Sequence, residues 1–234
     1  MIPFLDVALG IHVTNSLQRR QTVESWPVKK GDPMDVPQDM TRQPRAKVRP
    51  DNISPALFAH FVVRTSNFAT MRAWYQTVLN ARIVHDNGTL CFLTYDNEHH
   101  RLALVNVPGL RKPAEDAWGL NHVAYSYNSL GDLLSTYVRL RDQGIIPFRP
   151  INHGPTVSMY YHDPDGTGVE LQVDAFATKQ EAEDWFSRDD FKENPIGVLF
   201  DPEDLLRAYE AGVPEQDLLT RPKGGAAPSL AARR

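Results

Sequence analysis

Two histidines, His60 and His122, stand at matched positions of an internal repeat, and a glutamate, Glu170, lies near the end of the second copy. Imidazole nitrogens and carboxylate oxygens are the donors of mixed nitrogen and oxygen metal sites, so these three side chains are candidate ligands for one divalent ion. Each histidine sits in an apolar run, FAHFVVRT or LNHVAYSY, that ends in a polar turn and leads into a segment of helical period. Phe68, Met71 and Tyr75 in the first copy match Leu130, Leu133 and Tyr137 in the second at the offset of 62 that also relates the histidines, and Ile83 against Ile145 keeps it. Packed about a pseudo-two-fold axis, the two copies would turn both histidines toward one interior.

Alternation along a strand puts His60 on the face of Val62 and Arg64, and Glu170 on the face of Gly168 and Gln172, so each strand offers one inward ligand. Two imidazoles and one carboxylate on rigid strands occupy one face of an octahedral ion and leave the other positions open. That arrangement is expected of non-haem Fe(II) that binds substrate and oxygen together, and Mn(II) accepts the same donors. Taken singly, each histidine reads more readily as a core residue bonded to a backbone carbonyl, and Glu170 as the partner of an arginine. Recurrence at a matched repeat position reverses that preference.

The elements that must position these residues are legible in the pattern. Residues 1–54 carry Pro27, Pro33, Pro37, Pro44 and Pro50, which break any helical period, and read as an extended arm. A catalytic domain is expected over 55–176, in two modules of about 55–108 and 118–176. In the first, the strand-like run around His60 is followed by cap candidates Thr65, Ser66 and Asn67, a helix to Leu79, and the runs ARIVHD, TLCFLTYD and HRLALVNV. The second gives NHVAYSY, a helix from Ser129 to Gln143 stopped at Gly144, then IIPFRPIN, VSMYYHD and GVELQVD, the last two joined by the turn HDPDGTG. Each copy is βαβββ, so the expected fold is α+β, with paired modules forming a curved, cup-like mixed sheet. Over 177–234 a helical extension and tail are expected: Thr178 with Glu181 forms a capping-box pattern, and Asp201-Pro202 opens a further helix.

Composition excludes several classes. The chain has 234 residues, 41% hydrophobic and 23% charged, with a net charge of −4 and no strong block of one sign, so neither a nucleic-acid nor a membrane-attracting surface is expected. A single cysteine, Cys91, precludes an internal disulfide and fits a reducing compartment. The N-terminus lacks a signal-peptide pattern, and the chain reads as soluble and cytoplasmic. The arm and the acidic extension make a homo-oligomer the expected assembly.

The segments FAHFVVRT, GLNHVAYS and DPDGTGVELQVD resemble the vicinal oxygen chelate superfamily and, within it, the type I extradiol ring-cleaving dioxygenases, in the single-domain form of the biphenyl-diol and catechol dioxygenases. The resemblance covers residues 56–176 and implies that His60, His122 and Glu170 are the iron ligands. It further implies that His100, in EHHRLAL, is the histidine beside the oxygen site. His153, in NHGPTVSMYY, is then the second active-site histidine, and Tyr160 is the tyrosine that reaches the substrate or the ligand shell. His99 adjoins His100, and alternation directs only one of them inward. The implied activity is cleavage of a small aromatic diol with incorporation of both atoms of O2.

Two rival readings use the same fold. Glyoxalase-like isomerases and epimerases place a fourth ligand on the last strand of the first copy, where RLALVNVP offers only Leu102, Ala103 and Leu104. A metal-free protein that sequesters a small molecule has no need of two matched histidines and a glutamate. Phe148, Met159, Trp185 and Phe191 are candidates to line a pocket for a bulky diol, or to be core, and Arg64 is a candidate cation for positioning substrate. His162, His85 and His12 have no repeat mate and read as surface or packing residues.

Overall fold

Apolar residues recur with helical period in two places, and both become helices over sheets. The computed structural model describes residues 54–114 and 117–224; the expected arm up to Ile53 and the last ten residues of the tail lie outside them. The first module runs β1 (Phe61–Thr65), α1 (Phe68–Leu79), β2 (Arg82–Asp86), β3 (Leu90–Thr94) and β4 (Leu102–Asn106). The second repeats the order as β5 (His122–Tyr127), α2 (Leu130–Arg141), β6 (Arg149–Asn152), β7 (Thr156–His162) and β8 (Gly168–Asp174). The C-terminal part adds α3 (Lys179–Trp185), α4 (Asp189–Glu193), β9 (Val198–Leu199), α5 (Pro202–Glu210) and α6 (Glu215–Leu219).

Local chemistry fixes the helix ends. Ser129 Oγ accepts from the Asp132 amide at 3.1 Å to start α2, while Arg139 and Arg141 in its last turn complement the helix dipole. Thr178 and Glu181 close the capping box of α3, each side chain accepting from the other residue's backbone N–H. At α1 the N-cap Asn67 makes no side-chain cap bond. Its amide instead donates to Thr65 Oγ1 at 2.8 Å. The helix stops at Asn80, which takes the left-handed conformation (φ 49°) that asparagine tolerates better than most residues.

The ladders stay within each module. The first sheet has the order β1-β4-β3-β2, and the second β5-β8-β7-β6-β9. In each, the first strand lies parallel to the last, β1 on β4 and β5 on β8, and the hairpin strands are antiparallel. The two-residue β9 extends the second sheet by pairing with β6, so the C-terminal part is built into that module. The repeat pairs Phe68/Leu130, Met71/Leu133 and Tyr75/Tyr137 are all buried in a core that also takes Leu93, Leu102 and Leu104 from the first sheet and Val169, Leu171 and Val173 from the second. Among the described residues, no helix is long and apolar enough to cross a membrane.

One buried hydrogen bond joins the modules. Tyr75 Oη of α1 donates to Asp163 Oδ2 at 2.9 Å, while Asp163 Oδ1 accepts from the amides of Asp165 and Thr167 at 3.0 and 2.8 Å. The β7–β8 turn is therefore pinned from below by the first module's helix. Burial raises the Asp163 carboxyl above the ordinary carboxylate value. Tyr75→Phe should cost about 1 kcal/mol, and Asp163→Ala roughly 2–3 kcal/mol because three donors lose their acceptor, both measured by urea unfolding. With the folded value raised, the unfolded chain releases this proton first, so the contribution of Asp163 to stability falls as pH rises from about 4 through the folded value. Wild type should accordingly lose ground to Asp163→Asn over that window, and parallel pH profiles would refute the assignment.

Candidate functional site

Strand alternation sorts β8 into two faces. Val169, Leu171 and Val173 point into the core, and Glu170 points to the other side, yet is only 5% exposed. Its ladder neighbours are Ala124 on β5 and Tyr160 on β7, and its side chain faces two groups. His122 Nε2 lies 3.0 Å from Glu170 Oε2, and Tyr160 stands opposite Glu170 on the neighbouring strand. Burial, then the charge of Glu170, pushes the Tyr160 phenol well above its ordinary value.

His122 is held from its other nitrogen. Asn121 Oδ1 stands 2.8 Å from His122 Nδ1, and an amide oxygen only accepts, so Nδ1 carries the hydrogen and Nε2 is directed at Glu170. The Asn121 carbonyl in turn accepts from the Gly168 amide at 3.2 Å. A Cβ on Gly168 would lie 2.6 Å from that carbonyl oxygen and 2.9 Å from His122 Cβ, so only glycine lets β5 and β8 approach this closely.

These side chains border a cavity of about 350 Å³ whose lining includes Leu120, Asn121, His122, Phe148, His153, Tyr160, His162 and Ile196. His153 Nε2 lies 3.0 Å from Tyr160 Oη, and the His122 and Tyr160 rings meet edge to face at 5.3 Å. Burial depresses the His153 imidazole below its ordinary value, which favours the neutral ring. On one flank Phe148 and His162 stack in parallel, 4.0 Å apart. The cavity thus combines a polar floor with an apolar wall.

His60 and His100 form a second group. Their ring centroids are 4.3 Å apart, and His100 also stacks on Phe92 at 4.4 Å. Of the adjacent pair it is His100 that packs against His60 and is partly buried; His99 is exposed. His60 itself is exposed and lies one residue before β1, although the apolar run suggested a strand that included it. The reason is Arg101, whose Nη1 donates to the carbonyls of Phe58 and Ala59 at 2.6 and 3.1 Å and diverts that backbone from the ladder. The expected ligand trio is therefore distributed: His122 and Glu170 touch, while His60 packs on His100. Among the described residues, no three His, Cys, Asp or Glu side chains are gathered around one point.

The donor pair itself suits a divalent ion. Two donors about 2.0–2.2 Å from one metal and mutually cis stand close to 3 Å apart, the separation of His122 Nε2 and Glu170 Oε2. A carboxylate this buried also calls for a positive partner.

Register compares the modules rung by rung. Val62 pairs with Ala103 as Ala124 pairs with Glu170, so Ala103 occupies the place of Glu170; likewise Phe92, opposite Ala103, occupies the place of Tyr160. Ala103 thus offers no donor at the rung where the second module has Glu170. Several sequence candidates sit elsewhere. Met159 and Trp185 are buried outside the cavity lining, and Arg64 borders a separate cleft with Arg111 and Lys112. Asn121 and the Pro195–Ile196 wall carried no assignment from sequence, and His162, expected as a surface or packing residue, is exposed but lines the cavity; Asn121 could have been found from its place beside a repeat histidine, while Ile196 contributes a backbone carbonyl that no side-chain pattern reveals.

The profile of the Glyoxalase/Bleomycin resistance protein/Dioxygenase superfamily matches residues 57–171. Biphenyl-2,3-diol 1,2-dioxygenase 3 of Rhodococcus globerulus is 47% identical over 171 residues, 72% of this chain and 90% of that protein. Biphenyl-2,3-diol 1,2-dioxygenase 2 of the same organism is 47% identical over 164 residues, 70% of this chain and 86% of that protein. A solved lactoylglutathione lyase from Agrobacterium tumefaciens shares 19% identity over 51% of this chain and 94% of that one, with a TM-score of 0.42. With these ligand-type residues on duplicated βαβββ modules, and with 47% identity over most of two dioxygenases, the chain belongs to the glyoxalase and dioxygenase superfamily.

Proposed function

We propose that this chain is an Fe(II)-dependent extradiol dioxygenase that opens the aromatic ring of a catechol-type diol with O2. The observation that carries the reading is the His122–Glu170 donor pair, 3.0 Å apart beside a cavity with an aromatic flank. His122 and Glu170 would hold the ion, with His60 as third ligand. When bound, Fe(II) would acidify the diol and bring it together with O2.

The remaining work falls to the chain's own side chains. Asn121 keeps the His122 hydrogen on Nδ1 and so frees Nε2 for coordination. His153 and Tyr160 hydrogen-bond the diol oxygens at the cavity floor, and the apolar wall excludes water from the ring. His100, beside His60, stabilises developing negative charge on oxygen and delivers a proton; burial, then the neighbouring His60 and His99, lowers its imidazole below the ordinary value. Both Rhodococcus relatives are named for biphenyl-2,3-diol, which makes a two-ring diol the first substrate to test. The isomerase alternative lacks a donor at Ala103, and metal-free sequestration gives no reason to bury Glu170 against His122.

Loading the full chain with ferrous iron without air, then supplying air-saturated buffer and a panel of diols headed by biphenyl-2,3-diol, should produce oxygen uptake and a yellow ring-opened product. Absence of both with every diol would remove the proposal. His100→Ala should retain iron while turnover drops roughly 10²-fold or more. Normal turnover in that variant would take His100 out of the reaction. Gly168→Ala, which pushes on the Asn121 carbonyl and His122 Cβ, should weaken metal retention against a chelator by ten- to a hundredfold, on the order seen for groups that orient ligands.

A further inference from the structure

The C-terminal segment reaches into the site through one carbonyl. Asn194 organises a turn over residues 194–197: its Oδ1 accepts from the amides of Ile196 and Gly197 at 3.1 and 2.8 Å, and its Nδ2 donates to the Gly197 carbonyl at 2.8 Å. Arg221 ties this turn to the β6–β7 connection. Its guanidinium donates to the carbonyls of Asn194, His153 and Asp190 at 2.9, 3.3 and 2.6 Å and lies 4.9 Å from the centre of the Trp185 ring. Gly197 makes the close approach possible. At φ 117° it packs where a Cβ would meet the Asn152 carbonyl at 2.4 Å and His153 Cα at 2.9 Å.

The product of this packing is a hydrogen bond between the Ile196 carbonyl and His153 Nδ1. A carbonyl cannot donate, so Nδ1 is the protonated nitrogen. His153 Nε2 is then an acceptor, and Tyr160 Oη, 3.0 Å away at the cavity lining, donates to it. Had the carbonyl been absent, the ring could place its hydrogen on either nitrogen.

We infer that the 194–197 turn and its Arg221 tie are a positioning device that fixes His153 in the Nδ1–H tautomer and so presents Nε2 as a hydrogen-bond acceptor at the cavity, for the Tyr160 hydroxyl and, in exchange with it, for a substrate hydroxyl. The identity of that hydroxyl as one of a diol rests on the dioxygenase reading; the tautomer does not. Arg221 touches neither metal donor nor cavity and acts only through His153 and Ile196.

Long-range 1H–15N correlation of the full chain, loaded with diamagnetic Zn(II), reads the tautomer directly once the His153 signals are assigned by their loss in His153→Gln. The expected spectrum has Nδ1 protonated and Nε2 unprotonated; a protonated Nε2 with a bare Nδ1 in the wild-type protein overturns the inference, whether or not any variant folds. Arg221→Met keeps an apolar stem for Trp185 but none of the three hydrogen bonds. It should show mixed His153 tautomers and a kcat/KM lowered on the order of 10²-fold, with metal content unchanged. Arg221→Lys should fall between Arg221→Met and wild type. A folded Arg221→Met with an undisturbed tautomer and wild-type kcat/KM would likewise overturn it. If no diol is turned over, the dioxygenase reading fails while the tautomer measurement still decides this one.

Discussion

A carboxylate removed from water needs a compensating charge or a full set of donors, and Glu170 is where this protein meets that demand. The residue is buried on a central strand of the second sheet, with β5 on one side and β7 on the other. His122 of β5 lies 3.0 Å from its carboxylate, and Tyr160 is its ladder partner on β7. The second ring of partners follows from the first: Asn121 orients His122, and His153 meets Tyr160, with Ile196 orienting His153 in turn. Polar groups in such a chain are mutually dependent, because removing one leaves its neighbour buried and unpaired.

The duplication explains how one backbone plan supports this asymmetry. Both modules use the same parallel pairing of first and last strands, and equivalent rungs can be read off the register. Yet the rung that carries Glu170 and Tyr160 in the second module carries Ala103 and Phe92 in the first. Phe92 has nothing to donate and instead stacks on His100. The first module has thus exchanged a buried polar pair for an aromatic surface against which a histidine is held. Equal geometry with unequal chemistry leaves a carboxylate on one of the two equivalent rungs only.

Much of this was legible in the sequence because it depends on local periodicity. The matched helices, the caps of α2 at Ser129 and of α3 at Thr178, and the two strands that bear His122 and Glu170 all follow from patterns within ten or so residues. Even the Tyr160–Glu170 pairing is implicit in the hairpin, since a turn at Pro164–Gly166 folds those two residues opposite each other. The parts that escaped depend on long-range contacts. His60 lies in an apolar run that should have been strand throughout, but a guanidinium more than forty residues away, on Arg101, takes the carbonyls of Phe58 and Ala59. Ile196 acts through its backbone, so its side chain gives no sign of the role. His162 looked like a surface residue, and it is exposed; only the stacking of Phe148 makes it a wall of the cavity.

The unequal preparation of the three candidate ligands has a consequence for how a metal would enter. His122 and Glu170 are already at donor separation, each fixed by a ladder on both sides or by a neighbouring amide, so their ordering cost is met by folding itself. His60 lies outside the ladder, is exposed, and packs against His100. Binding through the prepared pair therefore comes first in this geometry. On the proposed reading, recruitment of His60 to the ion would exchange its ring contact with His100 for a ligand bond, while the stack on Phe92 still holds His100. Metal loading and the surroundings of His100 are on that reading coupled.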